Sequence, residues 1–236
     1  MSSYTTISAS NIPEILNSFE SVQRSLVKID EYACKDFRST KQILDILKDL
    51  DIDQVLSDPA RIKLSEIVSD LQYVDVLQQR LLHIKQTTDF LKGGLRAPSN
   101  HVVAYRPLVK LNLNQFQDAI NLYLNTTDAV HTALTEISKN HRMLFLHIQE
   151  IKSLYRYNTE ILREVANVRE IYQLRLLKYQ YSNSLATDDC IQQVKTVAKY
   201  YTMQQERVIL DAFLKVEMQH GEGYDVNSDK EQISFF

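Results

Sequence analysis

The chain of 236 residues contains only four glycines and four prolines, and it carries a net charge of −3. So few glycines and prolines favour long helices and argue against sheets with their many turns. The weak net charge argues against a dedicated nucleic-acid-binding domain, which would show a dense basic stripe, so no nucleic-acid partner is expected. The sequence also contains no apolar run near the roughly 18 residues that a membrane span requires.

The first predicted helix follows a polar N-terminus. Residues 1–10 are rich in Ser and Thr and are predicted to be disordered. Asn11 is a candidate N-cap, and Pro13 lies in the first turn, where a proline is tolerated. Apolar residues then recur with heptad spacing until the acidic sequence at 49–53, where the helix is predicted to end.

A second helix is predicted to begin at Asp58, because Asp caps a helix and the proline that follows it suits the first helical position. Its apolar periodicity continues until the glycine pair at 93–94, which is expected to end it. The two helices would form a coiled-coil segment over 11–92. Residues 93–111 contain two prolines and no clear period, which predicts a hinge loop.

The longest pattern runs from Leu113 to Tyr179 without a glycine or a proline, and it keeps one heptad register. A 3.5-residue period over this length predicts a supercoiled helix whose apolar stripe packs against a partner helix. Unbroken, the helix would be roughly 100 Å long. In its second half Leu154, Ile161 and Val168 widen the stripe, as a three- or four-helix bundle requires.

The narrower first half of this stripe is the candidate surface for a partner helix. Its candidate partner-binding residues are Leu113, Phe116, Ile120, Tyr123, Val130, Leu134, Ile137 and Leu144. Polar residues interrupt the stripe at Thr127, His141, Asn158 and Arg169. Asn158 and Arg169 are candidate specificity residues, because a single polar residue in a seam can fix register and partner choice. In the alternative interpretation, each of these polar residues meets solvent or a satisfied neighbour.

The last predicted helix begins after the register breaks at 182–187. Thr187, or one of the two acids that follow it, is expected to cap this helix, and Gly221 is expected to end it. Because the connection is short, the helix is expected to pack antiparallel against the wide half of the long helix. The two helices would form one unit over 112–220.

The C-terminal residues 221–236 are predicted to be a flexible acidic tail with an apolar end. Aromatic residues at a free end often stay disordered or fold onto their own chain, but they can also dock as a short peptide on another protein. The candidate docking residues are Ile233, Phe235 and Phe236.

No pattern in the sequence indicates catalysis. The six histidines lack a second ligand at metal-binding spacing, and neither a phosphate-binding glycine loop nor a nucleophile motif occurs. We therefore expect no enzyme activity, no catalytic residue, no cofactor and no metal. The two cysteines, Cys34 and Cys190, are expected to be unpaired thiols in a reducing compartment. With no secretory h-region in the sequence, an intracellular, cytoplasmic protein is expected, and a nuclear one is left open.

These features predict an all-α fold, an elongated antiparallel helical bundle or coiled coil with one very long central helix. The expected function is that of a non-enzymatic scaffold or tethering subunit of a multi-protein complex. Its expected partners are other helical or coiled-coil proteins, in a hetero-oligomer rather than a monomer. Such rods serve in membrane tethering, in chromosome attachment and in cytoskeletal adaptors, and the sequence does not choose among them.

The alternative is a BAR-like module that binds or curves a membrane surface as a dimer. Such modules present a dense Lys and Arg face to anionic lipids. In the middle of this chain acids alternate with the bases, which is typical of a solvated face with ion pairs. Any membrane contact is therefore expected to be indirect.

Overall fold

The computed structural model describes residues 5–49, 62, 65, 73–97, 104–139, 158–180 and 187–220. These ranges are mostly helical, which confirms the all-α class. In chain order the elements are β1 (Thr5–Thr6), α1 (Ile12–Asp49), α2 (Tyr73–Arg96), α3 (Tyr105–Lys139), α4 (Asn158–Glu170), a π-helical turn (Ile171–Leu176), β2 (Tyr179–Gln180), α5 (Thr187–Ala198) and α6 (Gln204–His220). The predicted end of the first helix at 49–53 falls at the edge of the described residues, so it stays a prediction.

Helices α1 and α2 run antiparallel along one another. The side-chain amide of Gln23 donates to a carboxylate oxygen of Asp89 at 2.8 Å. Further along α1, Cys34 meets Gln78, whose amide nitrogen lies 3.1 Å from the sulfur. As the residue numbers rise along α1, those of the contacted residues on α2 therefore fall.

Helix α3 returns antiparallel to α2. Near the start of α3 the Asn112 amide donates to Thr88 at 3.2 Å, and further on the rings of Tyr123 and Tyr73 pack with centroids 5.5 Å apart. The polar contacts thus follow the same antiparallel order as the apolar ones.

Helix α4 and the π-helical turn run antiparallel to α1. Ser25 donates to Glu164 at 2.8 Å, and at the other end Lys178 donates to Glu14 at 2.9 Å. Helices α1, α2, α3 and α4 with its π-helical turn, here named the four-helix core, therefore alternate in direction.

Apolar residues spaced three and four apart form the interior of the four-helix core, because that spacing places them on one face of each helix. Fully buried examples are Ile15, Phe19, Val22, Ile29, Leu77, Ile84, Leu108, Phe116, Ile120 and Ile161. Burial of such side chains stabilises the fold by about 1.5–3 kcal/mol each.

The prediction of disorder over 1–10 is wrong for residues 5–10. Strand β1 pairs in parallel with β2, so that Thr5 lies opposite Tyr179. The buried side chain of Ile7 secures this segment in the core. Asn11 closes the turn that follows, since its side chain accepts a hydrogen bond from the Ser8 amide at 2.8 Å.

The predicted hinge loop over 93–111 is wrong in its bounds. Helix α2 passes through the glycine pair and ends at Arg96, and α3 begins at Tyr105. Both Leu95 and Tyr105 are buried, so packing against the core outweighs the weak helix propensity of glycine. Pro107 lies in the first turn of α3, where amide groups lack an intrahelical acceptor anyway.

The helix predicted to reach Tyr179 ends earlier. After α4 the backbone widens into the π-helical turn, and the amide of Leu177 donates to the carbonyl of Tyr172 at 2.9 Å. The Tyr105 hydroxyl donates to the carbonyl of Leu176, and strand pairing then begins at Tyr179. The continuity of the predicted long helix over 140–157 lies outside the described residues.

The single helix predicted after Thr187 is two helices. A break at 199–203 separates α5 from α6. Both contact α3, whereas the prediction placed them on the wide half of the stripe, around Ile161. Tyr201 lies in the break and is buried, so the break itself packs against the core. The predicted start at Asp58 and the tail at 221–236 lie outside the described residues.

Two adjacent leucines on α2 test this arrangement. Leu81 is buried (4% exposed), whereas Leu82 is half exposed (50%). We expect Leu81→Ala to lower the free energy of unfolding by about 2–5 kcal/mol, because it leaves a cavity in the core. Leu82→Ala should lower it by less than about 1 kcal/mol. Urea unfolding followed by circular dichroism measures both, and equal losses would contradict the described face of α2.

Candidate functional site

A set of polar side chains, most of them buried, joins α2 and α3 to the C-terminal helices. On α2, Arg80, His83 and Thr87 are spaced three and four residues apart, so they share one face of the helix. We name this set the docking network. Its members are Arg80, His83, Thr87, Thr88, Asn112, Gln115, Asp118, Tyr201, Gln205 and Glu206.

The centre of the docking network is the pair His83 and Glu206. The imidazole Nδ1 lies 2.7 Å from one carboxylate oxygen of Glu206 and 2.9 Å from the other. Both side chains are almost fully buried. A buried carboxylate of this kind is retained only where partners replace the water that it loses.

Glu206 also caps helix α6. It is the third helical residue, and its carboxylate accepts a hydrogen bond from the amide of Met203, which immediately precedes the helix, at 3.2 Å. This contact is the reciprocal half of a capping box. On the other side, the Gln115 amide donates to the backbone carbonyl of Glu206 at 2.9 Å. One glutamate thus starts α6 and fixes it to α2.

Arg80 links three helices. Its guanidinium is fully buried and bonds to Asp118 on α3 and to Gln205 on α6, the latter at 2.5 Å. The Nε atom has no hydrogen-bond partner in the described part of the chain. An arginine suits such a junction, because the N–H groups of its planar guanidinium can donate to two acceptors in a fixed geometry.

A chain of hydroxyl and amide groups continues the docking network into the four-helix core. The Tyr201 hydroxyl lies 3.0 Å from the Thr87 hydroxyl. It also donates to the side-chain oxygen Oδ1 of Asn112 at 3.4 Å. Asn112 in turn donates to Thr88. Burial raises the pKa of Tyr201 above its ordinary value, although the hydrogen bond with Thr87 opposes this rise. The phenol therefore stays protonated at neutral pH.

Tyr172, on the π-helical turn, lies next to Thr88 and Asn112 of the docking network. Burial raises the pKa of its hydroxyl to about 12, while Thr88 and Asn112 act in the opposite direction. The hydroxyl forms no hydrogen bond of ordinary geometry within the described residues. π-helical turns recur at sites where a helix must reorient a side chain, and here the turn directs a buried phenol towards α2 and α3.

Chemically, the docking network is a joint. Its partners come from different helices, and the bonds of Gln205 and Glu206 with Arg80, His83 and Gln115 form only when α6 has one position relative to α2 and α3. Among the described residues, no group of three or more His, Cys, Asp or Glu side chains is arranged to hold a metal ion.

The predicted partner-binding stripe lies largely within the chain's own core. Six of its residues are buried there: Leu113, Phe116, Ile120, Tyr123, Val130 and Leu134. The side chains of Ile137 and Leu144 lie outside the described part. In this structure, therefore, these six residues are covered without a second chain.

The structure does not bring the two predicted specificity residues together. Asn158 is the first residue of α4, whereas Arg169 lies half-buried in its last turn. Thr127, another polar residue of the stripe, is buried and donates to the carbonyl of Tyr123 at 2.7 Å. His141 and the candidate docking residues Ile233, Phe235 and Phe236 lie outside the described residues.

Sequence reasoning missed the residues of the docking network. One signal was present, because Arg80, His83 and Thr87 border an apolar stripe at helical spacing. That signal does not reveal a partner 123 positions away, which is the separation of His83 and Glu206.

Comparison of the chain with protein-family models, with curated proteins and with solved structures gives no significant match. Within the helices that the structure describes, none combines the length and the apolar character needed to cross a membrane.

Two acids on α6 test the docking network. Glu206→Ala removes the partner of the buried His83 and the cap of the Met203 amide. We expect the free energy of unfolding to fall by about 2–5 kcal/mol, because the His83 Nδ1 and the Met203 amide each lose a hydrogen-bond partner. Asp211→Ala is the matched control, because Asp211 is exposed on the same helix, and its effect should stay within about 0.5 kcal/mol.

The location of the effect is measured by amide hydrogen exchange over 204–215 at constant pH. Relative to the natural protein, Glu206→Ala should accelerate amide exchange more over 204–215 than over α1. Uniform acceleration across the chain, or no difference between the two variants, would contradict the role of the network as a joint.

Proposed function

We propose that this protein is a non-enzymatic scaffold or tethering subunit of a multi-protein complex, and that it holds partner helices at a fixed separation. The observation that carries the proposal is the length of two helices. Helix α1 has 38 residues and α3 has 35, which correspond to roughly 57 and 52 Å. A compact domain of this chain length has a radius of gyration of roughly 18 Å, which corresponds to a sphere about 46 Å across, so α1 alone is longer than such a domain is wide.

The relative direction of these two helices supports the proposal. Phe19 on α1 packs against Tyr105 on α3, and further along both helices Asp36 accepts a hydrogen bond from Tyr123. The helices α1 and α3 are therefore parallel, and both continue roughly 20 Å beyond this last contact. We infer an elongated body with one very long helical axis, as the heptad register indicates.

The proposed partner surface lies towards the far end of α3. Residues Leu113 to Leu134 of the stripe are used within the chain, so a partner helix would need the positions that follow. The heptad pattern continues in the sequence through Ile137 and Leu144. A partner helix at this end would extend the same packing, which favours a hetero-oligomer over a monomer. The apolar tail residues are a second candidate contact.

The described surface charges favour a protein partner over a membrane. Two exposed or half-exposed lysines are engaged by acids, Lys28 by Glu164 at 3.0 Å and Lys178 by Glu14 at 2.9 Å. Hydrogen bonds from Lys178 and Tyr179 lower the pKa of Glu14, so this acid stays ionised. The BAR-like module remains the alternative, and it would require a dense, unpaired basic face.

The proposal predicts the effect of a charge placed in the far part of the stripe. We expect Leu144→Glu to reduce the amount of partner that co-purifies with the full-length protein at least tenfold, while the melting temperature changes by only a few degrees. Leu174→Glu is the control, because Leu174 is 66% exposed on the π-helical turn, and this variant should retain both properties. Native mass measurement of the purified complexes gives the partner content.

Two results would contradict the proposal. One is a compact monomer of 27.4 kDa with no associated chain, measured by light scattering and small-angle X-ray scattering. The other is salt-sensitive binding of the purified protein to anionic vesicles of phosphatidylserine and phosphatidylcholine, which would favour the membrane module.

A further inference from the structure

Helix α6 and the turn that precedes it dock on α2 and α3 as one unit, here named the docking segment (201–220). Bonds within the segment hold its first turn. The Arg207 Nε donates to the carbonyl of Tyr201 at 3.4 Å, and the Arg207 amide donates to the carbonyl of Met203 at 3.1 Å. The Glu206 carboxylate accepts the Met203 amide. None of these bonds involves α2 or α3, so the turn is closed by its own residues.

The surface that receives the docking segment lies on α2 and α3, and we name it the receptor surface. Its members are all buried: Arg80, His83, Thr87, Asn112 and Gln115. Arg80 donates to the side-chain oxygen of Gln205 at 2.5 Å. His83 bonds to the carboxylate of Glu206, and Gln115 donates to the backbone carbonyl of the same residue. Two consecutive residues of α6 thus supply acceptors to three side chains on two helices.

The polar character of the receptor surface restricts what can occupy it. Buried donors that lose their acceptors destabilise the fold, so an apolar helix could not replace α6. An occupant has to place a carboxylate beside His83 and a second acceptor beside Arg80. The start of α6 provides both groups, and a second copy of this chain carries the same start.

We propose that the receptor surface also binds the docking segment of a second copy, so that two chains form a dimer by exchanging α6. The second copy brings the same acceptors in the same geometry, so the exchange preserves every bond between the docking segment and the receptor surface. The chain crosses from one copy to the other at the break over 199–203. The exchange concerns the chain by itself and does not rest on the proposed scaffold function.

The concentration of the chain decides between the two arrangements. Within one chain the docking segment meets its own receptor surface at an effective concentration that is roughly millimolar for a short connection. A dilute solution therefore contains the closed monomer. Exchange is favoured at high protein concentration, or where the contact within one chain is weakened and the contact between chains is not.

The test mixes two full-length variants with complementary defects. Glu206→Ala has an intact receptor surface and a defective docking segment, whereas His83→Ala has the reverse. Each variant alone leaves a buried polar group without its partner. In an exchanged dimer of the two, one site regains the natural pair and the other lacks both polar groups, which is close to neutral. Only exchange between the two variants removes both unsatisfied groups.

Native mass measurement of one isotope-labelled and one unlabelled variant distinguishes mixed dimers from homodimers. The association constant of the mixed dimer should exceed that of either homodimer at least roughly tenfold. In the mixed dimer, amide exchange over 204–215 of the His83→Ala chain should slow towards its value in the natural protein. Asp211→Ala replaces Glu206→Ala in the control mixture, and since Asp211 is exposed, mixed dimers should then appear only in the statistical proportion.

A second pair of variants keeps the test valid if an alanine variant folds poorly. Tyr201→Phe removes a hydroxyl from the docking segment, and Thr87→Val removes the hydroxyl that lies 3.0 Å from it on the receptor surface. Their mixture should also contain more mixed dimer than the statistical proportion. The proposal is overturned if both mixtures contain only monomers, or only the statistical proportion of mixed dimers, up to about 1 mM protein. Equal enrichment in the Asp211→Ala control would also overturn it, because the dimer would then form through another surface.

Discussion

The interior packing of α3 against its own chain is the constraint on which the other features depend. Its apolar stripe is buried by α1, α2 and the helices that follow, and this burial forces the polar atoms along its edges to find partners. Tyr123 illustrates both effects, because its ring packs against Tyr73 while its hydroxyl reaches Asp36. A stripe covered by a second chain would have placed the same atoms at an interface.

Heptad periodicity predicted the helical class, because the apolar spacing of a helix is a local property that directly marks its buried face. The same spacing does not identify what covers that face. Phe116 would occupy the same heptad position whether its neighbours came from α2 or from another protein, so the sequence assigned it to a partner. The contact between α3 and α2 in the structure shows that the chain itself covers this face.

The errors at element ends have non-local causes. Helix α2 passes through Gly93 because Leu95, two residues on, is buried in the core. The heptad register fails after Glu170 because the Tyr105 hydroxyl binds the Leu176 carbonyl and a short strand then pairs with β1. Each cause involves residues far apart in the chain, and neither leaves a mark on local propensity or spacing.

The docking network and the surroundings of Asp36 show how the same low dielectric can give opposite results. In the docking network, His83 faces Glu206 and Arg80 faces Asp118, so burial strengthens the attraction between groups of complementary character and fixes α6 in place. Around the buried Asp36, by contrast, the Tyr123 hydroxyl donates one hydrogen bond and no cation of the described part of the chain is among the groups that act on the carboxyl, so burial raises its pKa to about 7. The first arrangement makes a rigid joint. The partners of each buried group therefore decide whether burial favours its charged or its neutral form.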